Sequence, residues 1–196
     1  MSFHKAIINS SERINQGDIF KNISFVENYS ENEGEFELNI LDFPYVYVLT
    51  QDCDLEQNIN ERKKESRIDN IIKYDKYLIS ILVVPLYDAQ HIFDGNHLEL
   101  LEFCSEKHGK DSRNKIKQNQ NQRYHFLEMP NELELPPLIM DFKHYFTIPL
   151  KTLESKLNDR ICTIEPLFRE SISQRFSFFL SRIGLPNITT ENEVNL

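Results

Sequence analysis

The chain has 196 residues, a length that suits one domain with a normal core and leaves little room for a second. Its 40% hydrophobic content and 14 Phe residues argue against a disordered chain, and its formal net charge of −9 disfavours non-specific binding of the whole molecule to nucleic acid or an anionic membrane. No stretch approaches the roughly 18 apolar residues of a membrane span, and the N-terminal MSFHKAIINSSER lacks a signal-peptide core, so a cytoplasmic protein with no membrane partner is expected.

In chain order, Gly17-Asp18 is turn chemistry and opens a first strand that runs to Val26. Glu27 to Leu38 reads as an acidic loop or a weak hairpin. Phe43-Pro44 precedes a second strand, Tyr45 to Thr50, too continuously apolar to have one face in water. Glu56 to Lys76 is charged and Asn-rich, either loop or surface helix. Tyr77 to Leu86 is the most apolar run and predicts a buried third strand. A short helix or turns follow around Asp94-Gly95. Lys107 to Arg123, KHGKDSRNKIKQNQNQR, has the composition of a mobile loop. Tyr124 to Met129 and Leu138 to Leu150 read as two further strands, joined by the Pro-rich PNELELPP, and Lys151 to Asn158 as a helical turn. From Pro166 the period changes: Phe168, Ile172, Phe176, Phe179, Leu180 and Ile183 predict an amphipathic helix stopped by Gly184 and Pro186. Phe178 falls off that stripe and would mark a partner surface if exposed. A single domain over residues 1–186 with a frayed tail at 187–196 is expected, built as an α+β fold: a small β-barrel of about five strands, an inserted charged segment and a C-terminal helix.

The stretch VYVLTQDCDLEQ delivers Thr50, Asp52, Cys53 and Asp54 to the end of the second strand, where sheets present chemistry, although Asp and Gln are also ordinary turn residues. Three cysteines, Cys53, Cys104 and Cys162, without a CxxC pair predict reduced thiols. Asp52 and Asp54 oppose a nucleophilic role for Cys53. Cys104 and His108 have C-x3-H spacing and could join Cys53 and His125 around zinc, but such spacing is common by chance; no metal and no cofactor is expected. His125 and His144 lie in predicted strands, where hydrogen-bonded core roles are expected, and Asp141 needs either solvent or a partner such as Arg123 or Lys143. The one basic patch, Lys107, Lys110, Arg113, Lys115, Lys117 and Arg123, interleaves at its end with Tyr124 and His125, as binding of single-stranded RNA requires.

Gly17-Asp18-Ile19, Pro44, the strand ending VYVLT, and FTIPLKTLESKLNDRICTIEP before a helix ending in IGL together resemble the MazF/PemK-like toxins. The resemblance implies an SH3-like barrel and a metal-independent endoribonuclease. It places Thr50 at the family's catalytic Ser/Thr position, with Asp52, Cys53 and Arg123 as the remaining candidate catalytic set. Phe43 stands where the family has an Arg, so either a basic group from another segment, such as Arg123, substitutes near Thr50, or the chain keeps the fold without the nuclease activity. The alternative is a non-catalytic interaction component of a toxin–antitoxin or phage-defence module, holding an antitoxin, another defence component or a second copy of itself. A thiol or zinc site at Cys53 is the third.

Overall fold

The apolar runs are unbroken because both faces of the central strands are covered. Alternate side chains of a strand point to opposite faces. Phe20, Val46, Val48, Ile81 and Val83 accordingly join one buried cluster, and their neighbours Ile19, Tyr47 and Val84 join another. The computed structural model describes residues 5–8, 11–32, 34–65, 73–99, 103 and 105–182. It shows a mixed α/β fold in which an antiparallel sheet curls into a half-barrel.

The strands are β1 (Ala6–Ile7), β2 (Asp18–Asn32), β3 (Glu35–Val48), β4 (Ser80–Asp88), β5 (Tyr124–Leu127), β6 (Leu138–Asp141), β7 (Phe146–Pro149) and β8 (Arg160–Ile164). The helices are α1 (Asp52–Glu65), α2 (Ala89–Asp94), α3 (Lys110–Lys117), α4 (Leu150–Glu154) and α5 (Pro166–Leu180). The sheet order is β1-β8-β2-β3-β4-β6-β5, with β7 also paired to β4. Helices α2 and α3 contribute Ile92 and Ile116 to the first cluster, while α5 lays Ile172, Phe176 and Phe179 on the second.

Among the described residues, eight strands stand where the sequence suggests about five. One surplus comes from the run Leu138 to Leu150, which is interrupted rather than continuous. Met140 pairs with Leu86 and Phe146 with Val83, so the chain between Met140 and Phe146 is longer than the β4 edge it follows and loops out. The loop is a 3-10 turn, Phe142–His144, capped by the Asp141 carboxylate, which accepts the Lys143 N–H at 3.0 Å. A second surplus is β8, hidden in sequence by the charged residues before it but buried through Cys162 and Ile164 and paired to both β2 and β1.

The segment 27–38 is the hairpin alternative, and it is long. Strands β2 and β3 pair from Ile19↔Tyr47 out to Asn32↔Glu35, with a bulge between Val26 and Asn28. The bulge moves the strand's phase by one residue. Val26, Tyr29, Phe36, Leu38 and Ile40 thereby share one exposed face of the ribbon.

The expectation of a mobile basic loop is corrected over residues 110–117, which form α3. Ile116 is buried, and Arg113 points back into the fold: its Nε donates to the His108 carbonyl at 2.7 Å and its Nη2 to the Phe93 carbonyl and Asp94, both at 3.1 Å. Asn119, at φ 55°, ends the helix and exchanges hydrogen bonds with the backbone of Phe126. A short apolar content hides this helix in the sequence; backbone and arginine contacts hold it.

Helix α5 starts with Pro at its first turn, as expected, and Phe178 is exposed. Leu180 is exposed too, outside the buried stripe. Ile183, Gly184, Pro186 and the tail, like Cys104, lie outside the described residues. No helix among the described residues is long and apolar enough to cross a membrane.

Phe176 packs edge-on to Phe142 at 5.6 Å and to Tyr145 at 5.4 Å. Replacing it with Ala is expected to cost about 3 kcal/mol of stability in urea unfolding, whereas Phe178→Ala should stay within about 0.5 kcal/mol.

Candidate functional site

The end of β3 is built for architecture. Thr50 continues the β3–β4 ladder, its Oγ1 accepting the Leu82 N–H at 2.7 Å and its own N–H reaching the Leu82 carbonyl at 3.3 Å. It borders a shallow groove of about 300 Å³ with Asp54, Ser173 and Ser177. Asp52 opens α1, where a carboxylate meets the positive end of the helix dipole. It also binds two other segments: the N-terminal one through Arg13 at 3.2 Å and the Gln16 N–H at 3.2 Å, and α5 through Arg169 at 3.7 Å. Cys53 is exposed, and its Sγ lies 3.7 Å from Gln51 Oε1 and 3.8 Å from Asp54 Oδ1.

Arg123 is placed elsewhere, and its partner is the one anticipated for Asp141. Its Nε and Nη2 form a fork on the Asp141 carboxylate at 2.7 and 2.5 Å. Asp141 is fully buried at the end of β6, across from Tyr124 of β5, so the register of two strands positions the pair. This hydrogen-bonded carboxylate holds the Arg123 pKa above its usual value. The same carboxylate lies 3.0 Å from His144 Nδ1, in poor line for a hydrogen bond. Tyr124 is covered by the Arg123 guanidinium, 4.9 Å from its ring centre, and by the edge of His108 at 5.6 Å. His125, like Tyr124, is buried, so neither ring presents an open stacking face. Among the described residues, no three or more His, Cys, Asp or Glu side chains are grouped to hold a metal ion.

His97 joins this polar interior and was not singled out by sequence, where a lone His after a Gly-Asn turn carries no pattern. Its ring meets Tyr87 edge-on at 5.1 Å. Burial pushes its pKa down to about 4, against the attraction of Asp141 and with help from His144, Arg123 and His108. His108 and His144 are likewise held below the ordinary imidazole value, in both cases chiefly by burial.

Of the basic patch, Lys107, Lys110, Lys115 and Lys117 are exposed. Lys107 lies 3.8 Å from Asp94, and Lys117 lies over the Phe93 ring at 5.5 Å. Between α2, α3 and β5 runs a groove of about 780 Å³, lined by Phe93 and Phe126, by Gln90, Asn114 and Gln118, and by Lys117 together with the acids Asp88 and Glu128.

A histidine held neutral in the folded state but free to protonate when unfolded stabilises the fold fully above the unfolded value of 6.5; that contribution is lost as pH falls from there toward about 4. His97→Phe should therefore narrow the difference in urea midpoint between about pH 7.5 and about pH 4.5. An unchanged difference would show that His97 is not a source of it.

No protein-family model matches the chain, and no curated protein is significantly similar to it.

Proposed function

We propose that this chain is an RNA-recognising protein of SH3-like barrel type, akin to the MazF/PemK-like toxins, and that it binds single-stranded RNA along α3. The observation that carries this is the groove under α3. The half-buried Phe126 ring suits a stacked base, side-chain amides suit base edges, and exposed lysines on the same helix suit phosphates. Helix α3 places its start, through His108, against Tyr124 and Arg123, and its end, through Asn119, against Phe126. A strand following the helix would thus run between the groove and the half-exposed Arg123. The charge is local, on a molecule whose net charge is −9, so binding must depend steeply on ionic strength.

Cleavage, as the family likeness implies it, needs an acid–base group and a cation at one phosphate. Thr50 Oγ1 is engaged with Leu82, and Arg123 with Asp141. His144 beside Asp141 and Arg123 is the better-furnished acid–base candidate: burial favours its neutral form, which can take a proton.

A second reading, a protein-interaction component, is favoured by the apolar face of the β2–β3 ribbon, where five large side chains stand in solvent.

Fluorescence anisotropy with labelled single-stranded RNAs across a salt series tests the first. Log affinity is expected to fall with log salt at roughly −0.7 per phosphate contact, and replacing Lys110, Lys115 and Lys117 with Gln should flatten the slope by about two units. Cleavage should need no added metal ion and should be lost in His144→Ala while binding persists. Absence of salt-dependent binding across the RNA panel would leave the interaction reading in its place.

A further inference from the structure

The β2–β3 ribbon runs out beyond the sheet: β8 covers β2 only at Asp18 to Phe20, and β4 covers β3 only from Tyr45 to Val48. Directly opposed residues of an antiparallel pair point to the same side. The pairs Val26↔Ile40 and Tyr29↔Leu38 therefore share one face, and Phe36 stands on it opposite Glu31. These five large side chains are 49% to 71% exposed, while the reverse face over the same length carries Ser30, Glu35, Glu37 and Asn39. The arm is thus amphipathic with its apolar side in water.

The independent observation is charge. An acid closes the apolar face at each end: Glu31 opposite Phe36 at the tip, and Asp42 opposite Ser24 at the base. No Lys or Arg occurs between Asn22 and Leu49. At the Asp42 end, the cavity of about 490 Å³ where β3, β4 and α2 meet adds Asp88 and Glu99, and among the described residues no Lys or Arg lines it. These charges select among occupants. RNA phosphates and anionic lipid headgroups are repelled. A second copy would present the same patch by two-fold symmetry, and every such face-to-face arrangement sets acid against acid.

We propose, resting on the protein-interaction reading, that this face docks a basic amphipathic segment of a partner protein, extended along the ribbon. Its apolar side chains cover Tyr29, Phe36, Leu38 and Ile40, and a Lys or Arg at each end meets Glu31 and Asp42. Phe36 and Asp42 are six positions apart on β3, about 20 Å at a strand rise of about 3.3 Å per residue. The two cations of an extended partner accordingly belong six positions apart, with apolar residues at the alternate positions between them.

The test is selection of a displayed library of random dodecapeptides on the full chain, with Tyr29→Ser/Leu38→Ser as the counter-selecting protein. Both positions are exposed, so its thermal unfolding should be unchanged. The expected consensus has Lys or Arg at two positions six apart and apolar residues between them. A synthetic consensus peptide should bind in fluorescence anisotropy and weaken at least about tenfold on Tyr29→Ser/Leu38→Ser. Glu31→Gln/Asp42→Asn should weaken it about tenfold at low salt and remove most of its salt dependence. Ribbon-dependent peptides that lack cations or carry acids overturn the proposal. So does ribbon-dependent flotation with phosphatidylcholine vesicles. A dimer in sedimentation that Leu38→Ser abolishes also overturns it, while leaving the interaction reading in place with a second copy as occupant. Absence of ribbon-dependent peptides from a chain that stays monomeric overturns both.

Discussion

A carboxylate taken out of water must be met by cations and N–H donors, and two fully buried aspartates impose that condition on this fold. Asp18 takes the Asn15 N–H at 2.8 Å, the Thr163 hydroxyl, and Arg160 at 3.1 Å. Arg160 also donates to the carbonyls of Arg13 and Ser11, so one ion pair fastens the N-terminal segment, β2 and β8. Burial still pushes the Asp18 carboxyl above its ordinary value despite these partners. Asp141 does for the other end of the sheet what Asp18 does for this one. It ends β6, caps the turn that offsets β7, and aims Arg123.

Three surfaces with different chemistries are mounted on this frame. Helix α3 is basic over an amide-rimmed groove; the cavity beside β3 is acidic and aromatic; the β2–β3 ribbon is apolar. Asp88 lines both the groove and the cavity, so the two share a wall. The stretch VYVLTQDCDLEQ serves none of these surfaces directly. Its Thr extends a ladder, and its first Asp ties α1 to α5 and to the N-terminal segment.

What the sequence makes legible is what periodicity encodes. The continuous runs around Val46 and Val83 announce strands covered on both faces, and the Ile172, Phe176, Phe179 stripe announces α5. Asp141 was legible as a residue needing a partner, and Arg123 is that partner. Helix α3 was not legible, because its fastening lies in Arg113 and in backbone atoms rather than in an apolar stripe. The likeness of local motifs points to Arg123 as a basic group for Thr50, but such motifs do not specify which strand β5 lies beside, and Arg123 pairs with Asp141.

The ion pair between Asp18 and Arg160 joins residues 142 positions apart, and the β2 edge it secures pairs with nothing until β8 arrives. On the ribosome that edge is therefore made early and closed late. During synthesis at about 5–20 residues per second, β2 stands for several seconds as an open strand with unpaired N–H and C=O groups. Its long hairpin partner β3 protects only the other side. The bulge and the acidic residues Glu27 and Glu31 lie farther out, on the part of β2 that β8 does not cover, so they guard that outer edge while Asp18 to Phe20 wait for their partner.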